Sequence, residues 1–169
     1  MLTGYGYALP SPMPKHGIYL PDSDFATFGD WQRQADLSKP TVAVLFYRAH
    51  RMSGNTAFMD KMAQALQDKG VNALCVFTSS LKAKEAGRPA AFHLIAEKAD
   101  VRISTLSFAL GDVNTGTITE AGESVDSLEQ LGILVLQAIA SGMPRGAWEG
   151  SRRGLNALDT AVNIAISGV

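Results

Sequence analysis

Thr41-Val-Ala-Val-Leu-Phe-Tyr47 is a seven-residue run, mostly β-branched and aromatic, without a charge. An alternating strand needs cover on one face, whereas a continuous apolar strand needs it on both, the condition met inside a parallel sheet. Two further runs look similar, residues 71–78 and Gly132-Ile-Leu-Val-Leu-Gln137, and a fourth, Val101-Arg-Ile-Ser-Thr-Leu-Ser-Phe108, alternates. Between the first two lie residues 55–69, where Phe58, Met62, Ala65 and Leu66 form a stripe and Gly70 stands at the stop position. That spacing predicts an amphipathic helix. A second predicted helix, residues 89–98, starts at Pro89 and turns Phe92, Ile95, Ala96 and Ala99 inward. Strand, helix and strand repeated at short spacing predict a three-layer α/β domain, a mostly parallel sheet with helices on both faces, flavodoxin-like or Rossmann-like.

Outward from this centre the pattern weakens. Residues 1–16 hold Gly4, Gly6, Pro10, Pro12 and Pro14, a breaker density that predicts an irregular leader or linker outside the core. Residues 17–169 form the single α/β domain. Phe25, Phe28, Trp31 and Ala35 predict an early helix capped by Ser23 or Asp24. Residues 109–126, rich in Gly, Thr and acids, predict an exposed excursion with a hairpin around Asn114-Thr-Gly116. In residues 155–167 a C-terminal helix is expected, with Leu155, Leu158, Ala161, Val162 and Ala165 on one face and Ile164 and Ile166 beyond it.

With 169 residues, 46% of them hydrophobic, the chain is long enough to bury one sizeable core. A net charge of −1 leaves no cation excess to displace phosphate counterions, which removes the bulk electrostatic case for nucleic acid or an anionic membrane. Only 18% of residues are charged, against about 25% in an ordinary domain, so part of the surface is either polar-neutral or covered by something else. One cysteine excludes an internal disulfide framework, and Cys75, in an apolar run, reads as a small buried hydrophobe suited to a reducing compartment. No run approaches a membrane span and the start lacks a signal-peptide pattern, so the expected location is cytoplasmic.

Ligands of open α/β sheets bind beyond the carboxyl ends of the strands, where the strand order reverses. With Thr41–Tyr47 central, the loop that forms this crevice holds Arg48, His50, Arg51, Ser53, Gly54, Asn55 and Thr56. Two guanidiniums and an imidazole beside a helix start suit a carboxylate or phosphate. The alternative is that Ser53 or Asn55 caps the helix while both arginines are solvated. Ser53-Gly-Asn-Thr56 also resembles the phosphate loop of flavodoxins, which makes a flavin mononucleotide-binding redox module one reading; against it, residues 78–87 hold no aromatic ring and the later loop offers only Phe108. Gly-x-Gly-x-x-Gly and Walker patterns are absent. Ser79 and Ser80 follow a strand, and Gln137 interrupts one near its end, each placed to hold a ligand or only a neighbouring loop. Trp148 with Arg152 and Arg153 fits a partner surface as well as a ligand edge. His16, His50 and His93 are scattered without metal-ligand spacing, and Asp112, Glu120, Glu123 and Asp126 read as a solvated acidic loop, so no resident metal is expected.

Val44-Leu-Phe-Tyr-Arg-Ala-His50 with Gly54-Asn-Thr56 resembles the large subunit of the aerobic-pathway cobaltochelatase and its relative, the large subunit of magnesium chelatase. Further pieces agree in order: Gly17-Ile-Tyr-Leu-Pro-Asp22, Val76-Phe-Thr-Ser-Ser-Leu-Lys82, Thr105-Leu-Ser-Phe-Ala-Leu-Gly111, Val135-Leu-Gln-Ala-Ile139, and Trp148-Glu149 with Gly154-Leu155 and residues 159–165. The Gly-Asn-Thr turn and the Leu-Gln strand end lie nearer the cobalt branch. The resemblance implies one internal domain of a giant cytosolic subunit that binds the tetrapyrrole, with two ATPase-type subunits driving insertion of Co2+ into a corrin precursor, hydrogenobyrinic acid a,c-diamide. ATP and Mg2+ would sit on those partners, no cofactor on this chain, and no family catalytic residue maps onto it. It further implies that the 48–56 loop, facing the loop after Phe108, helps hold acidic side chains of the precursor. The competing expectation is a ligand-free packing module that meets other domains of the same subunit.

Overall fold

The computed structural model describes residues 12–80, 84–85, 88–96, 98–106 and 134–160. Strand β1 is His16–Tyr19, β2 Thr41–Tyr47 and β3 Asn72–Thr78; β4 Lys84–Glu85 pairs with β5 Arg88–Pro89 in a small hairpin, and β6 Val101–Ser104 and β7 Leu134–Gln137 follow. The helices are α1 Phe28–Gln34, α2 Arg48–Met52, α3 Ala57–Asp68, α4 Ala90–His93, α5 Arg145–Glu149 and α6 Ala157–Thr160.

The sheet runs β1-β3-β2-β6-β7, with β2 parallel to β3 and β6, β6 parallel to β7, and β1 antiparallel to β3. The chain leaves β2 for β3 on one side, then crosses back past β2 to β6 and on to β7. Right-handed connections therefore place α3 on one face and α4 on the other. Two cores follow. Under α3, Met59 packs with Val44, Phe46, Cys75, Phe77 and Tyr19. Against α4 and α1, Trp31, Phe92 and Ile95 pack with Ala43, Leu45, Leu74, Val76 and Ile18. Every residue of β3 is buried, as its continuous apolar run requires. Arg102 is fully buried on the α4 face, its guanidinium 5.3 Å from the Phe92 ring centroid. The expected layers are thus present, with an antiparallel edge strand added.

That edge strand is the main addition. β1 begins at His16, so the last residue of the expected leader belongs to the sheet, paired with Thr78. Gly17 lets the strand approach: a Cβ there would lie 2.8 Å from the Phe77 ring. The early helix starts later than expected, at Phe28. Its N-cap is Thr27, not Ser23 or Asp24, with a capping box in which Asp30 N–H donates to Thr27 Oγ1 and Thr27 N–H to the Asp30 carboxylate. Asp22, at φ 61°, turns the chain before it, and an Ile18–Ala26 bridge holds residues 20–26 in a loop that leaves Phe25 exposed. Pro89 ends the β4–β5 hairpin, and α4 starts one residue later with Phe92 and Ile95 buried as expected. In α6 the buried residue is Asp159, while Leu158 is exposed, the reverse of the expected face. The predicted excursion of residues 109–126 with its hairpin, and the tail beyond residue 160, lie outside the described residues. Among the described residues no helix is long and apolar enough to cross a membrane.

Candidate functional site

The strand order reverses between β2 and β6, so the crevice of an open α/β sheet belongs beyond Tyr47 and Ser104. Thr105 closes the floor of that position, donating both its N–H and its hydroxyl to the Leu45 carbonyl, each at 2.9 Å. Above it the expected loop is a short helix, α2, followed by a turn. Ser53 is the C-cap of α2, and its hydroxyl donates to the His50 carbonyl. Gly54, at φ 70°, makes the left-handed turn that Asn55 completes by donating its N–H to the same carbonyl at 2.9 Å. The N-cap of α3 is Thr56, not Ser53 or Asn55, and its side chain makes no cap hydrogen bond.

Both guanidiniums have main-chain partners. Arg48 donates from Nε to the Pro14 carbonyl at 2.9 Å and from Nη2 to the Met13 carbonyl at 2.8 Å. Arg51 donates from Nη2 to the Ser23 carbonyl at 2.5 Å, lies 3.7 Å from the exposed Asp24 carboxylate, and sits over the Tyr19 ring at 5.3 Å. Tyr19 in turn donates its hydroxyl to Asp60 on α3 at 2.6 Å. Burial, then the bond to Asp60, pushes the Tyr19 hydroxyl above its ordinary 10.0. His50 stacks edge-on against Phe58, ring centroids 4.9 Å apart. The basic cluster therefore works inward, tying residues 13–14 and 23 to the end of β2.

Ser79 donates its N–H to the Lys15 carbonyl at 2.8 Å, and Ser80 exchanges hydrogen bonds with the Thr78 side chain. Residues 13–15 thus cross the carboxyl end of β2 and β3 like a strap. Gln137 donates to the Leu106 carbonyl at 2.9 Å, holding the neighbouring loop, two strands and about 10 Å away from β2. Phe108 lies outside the described residues. The structure so ties Arg48 and Ser79 to one strap, turns Arg51 to the 20–26 loop, keeps Ser80 on Thr78 and leaves Gln137 apart. Sequence reasoning missed a second polar junction: the buried Asp159 carboxylate accepts from the Ser141 hydroxyl at 2.5 Å and the Gly142 N–H at 3.4 Å, and Asn156 caps the Asp159 N–H. Asp159 is the only acidic residue after Glu149, the one signal in the sequence that could have found it. No group of metal-ligating side chains occurs among the described residues. An open groove of about 540 Å³, lined by Trp31, Leu37, Lys39 and Lys98 among others, opens at the amino end of β2, opposite to the switch point.

Fold and site define an α/β domain with its strand-order reversal at β2 and β6, its basic cluster folded inward. A family model of CobN/Magnesium Chelatase matches residues 2–168, and the chain belongs to that family. It is 35% identical over 177 residues to the aerobic cobaltochelatase subunit CobN of a Sinorhizobium species, covering 98% of this chain and 13% of that relative. To the magnesium-chelatase H protein of Rhodobacter capsulatus, a chelatase subunit, it is 27% identical over 166 residues, 96% of this chain and 14% of the relative. A solved structure, the catalytic subunit of cobaltochelatase from Mycobacterium tuberculosis, superposes with a TM-score of 0.74 at 27% identity, over 98% of this chain and 13% of that one.

Proposed function

We propose that the chain is one domain of the large subunit of an ATP-dependent chelatase that inserts Co2+ into a corrin precursor, hydrogenobyrinic acid a,c-diamide, and that its own contribution is architectural. The observation that carries the reading is the match along essentially the whole chain to relatives of which it spans only 13%. The cobalt branch is favoured by the 35% identity to a cobaltochelatase subunit against 27% to a magnesium-chelatase subunit. Two ATPase-type subunits would supply the nucleotide chemistry, and other domains of the large subunit would hold the tetrapyrrole and the metal. The inward use of Arg48 and Arg51 supports architecture over substrate binding, since donors of both guanidiniums are already engaged by three main-chain carbonyls that fix the side chains toward the strap and the 20–26 loop. Replacing both arginines by alanine in the full-length subunit distinguishes the roles. Architecture predicts unchanged affinity for the precursor in whatever fraction folds, with lower thermal stability. A large loss of affinity at unchanged stability would return the site to substrate binding.

A further inference from the structure

Ser141 and Asp159 close the base of an excursion from the domain: their side chains meet at 2.5 Å across 18 residues of sequence, and the Gly142 N–H adds a second bond to the same carboxylate. Within that excursion stands α5, and each of its five residues is exposed. Isolated helices below about 12 residues are marginal in water, and helices in proteins draw most of their stability from a packed face. α5 instead turns Trp148 to solvent, 49% exposed. The turn continues past the helix: the Gly150 N–H donates to the Gly146 carbonyl, the Ser151 N–H to the Trp148 carbonyl, and the Arg153 N–H to the Ser151 hydroxyl. Arg152 and Arg153 are thereby kept beside the helix end that carries Trp148. Both are exposed, and neither has an ion-pair partner among the described residues, while Arg145 is paired with Glu149 at 2.7 Å. Residues 145–153 thus hold three arginines, one glutamate and a tryptophan in a chain whose net charge is −1.

We propose that residues 145–153 dock onto an acidic surface of another domain of the same large subunit, with Trp148 seated in an apolar pocket and Arg152 and Arg153 paired with carboxylates at its rim. The charge of the segment selects the partner: the arginine fork meets a carboxylate at two points, and two unpaired guanidiniums beside a tryptophan are disfavoured against a basic or wholly apolar surface. Tryptophan and arginine are also the residues that most often carry the energy of a protein interface. A helix exposed on every side offers no concavity, whereas small ligands are held in clefts, so the occupant is a protein surface. The inference rests on the reading of the chain as one domain of a chelatase large subunit, since relatives of which it spans 13% leave most of a polypeptide to supply that surface. A loop already closed at Ser141 and Asp159 loses little freedom on docking. Docking in turn gives α5 the packed face that it lacks.

Photo-cross-linking in the full-length subunit tests it. The photoreactive p-benzoylphenylalanine is placed at Trp148, and the linked peptides are identified by mass. The expected result is a link within one polypeptide, to an acid-bearing peptide from outside this domain. Arg152→Glu combined with Arg153→Glu should lower its yield several-fold, whereas Arg152→Lys combined with Arg153→Lys should keep most of it; both side chains are exposed, so these variants leave the fold intact. No link, a link only within this domain, a link to a second copy or to an ATPase-type subunit, or a yield that charge reversal leaves unchanged overturns the proposal. Cobalt insertion by the unmodified subunit with its ATPase-type partners separates the two readings. Cross-linking without cobalt insertion overturns the chelatase reading and leaves the docking surface standing, and insertion without cross-linking does the reverse.

Discussion

The Tyr19 hydroxyl donates to Asp60 at 2.6 Å, joining the antiparallel edge strand to the first turn of α3 across 41 residues of sequence. Through that bond, β1 is held both edge-on by β3 and from above by the helix. Tyr19→Phe deletes the donor in a buried position and is expected to cost about 1–2 kcal/mol of unfolding free energy. Asp60→Asn keeps an acceptor and is expected to cost less. In the Asn variant the Tyr19 titration, followed by ultraviolet absorbance, should move down toward 10.0, because the bond to the carboxylate and its like charge both raise it. An unmoved titration would show that burial alone holds the proton.

Cys75 gives the fold an alkaline limit. Burial pushes its thiol from an ordinary 9.0 up to about 12, with the Asp60 charge adding in the same direction. The unfolded chain therefore gives up this proton first as pH rises. The stabilising difference is complete below about pH 9 and is lost between about 9 and 12, amounting to about 4 kcal/mol at most. Denaturant unfolding measured from pH 8 to 11 should show this decline, and Cys75→Ala should flatten it up to the point where Tyr19 begins to ionise. A thiol reagent at pH 8 should react slowly with the native chain and at once in denaturant.

Arg48 fixes the strap of residues 13–15 through its planar fork, one nitrogen to each of two carbonyls. Arg48→Ala is expected to cost about 1–3 kcal/mol and to speed tryptic cleavage after Lys15 several-fold, as the bond from the Ser79 N–H to the Lys15 carbonyl is then left to hold the strap. Lysine at position 48 keeps a cationic donor but has a single nitrogen in place of the planar fork, and its cleavage rate should fall between the two. Equal rates in all three chains would mean that β1 pairing, not the arginine, holds the strap.

What the sequence made legible follows from how local each signal is. β2, β3 and α3 are read from contiguous residues: an unbroken apolar run must be covered twice, and a stripe closed by Gly70 at φ 80° must be a helix end. β1 escaped because its four residues include His16 and a glycine whose purpose, clearance for the Phe77 ring, is visible only across the sheet. The helix cap moved from Ser23 or Asp24 to Thr27 for a similar reason: the Ser23 carbonyl is taken by Arg51, 28 residues on. Residues 48–56 follow the end of β2, as the sequence pattern places them, but the two arginines find partners 28 to 35 residues upstream, a separation no local pattern encodes. Phe25 shows the limit of periodicity: it fits a helical stripe and lies exposed in the loop before it.

Gly54 offers a clean test of how the turn after α2 is built. Its φ is 70°, and a Cβ placed there meets nothing within 4 Å, so a side chain would be opposed by backbone strain and not by a clash. Gly54→Ala is therefore expected to destabilise by about 1 kcal/mol, the intrinsic cost of the left-handed region for an L residue. Asparagine tolerates that region better than alanine, so Gly54→Asn should cost less. A β-branched residue should cost most, and Gly54→Val sets the upper end. Equilibrium denaturation of the three chains at neutral pH orders them. If valine proved no worse than asparagine, the turn would have to relax out of its left-handed form, releasing the Asn55 N–H from the His50 carbonyl and shifting the start of α3.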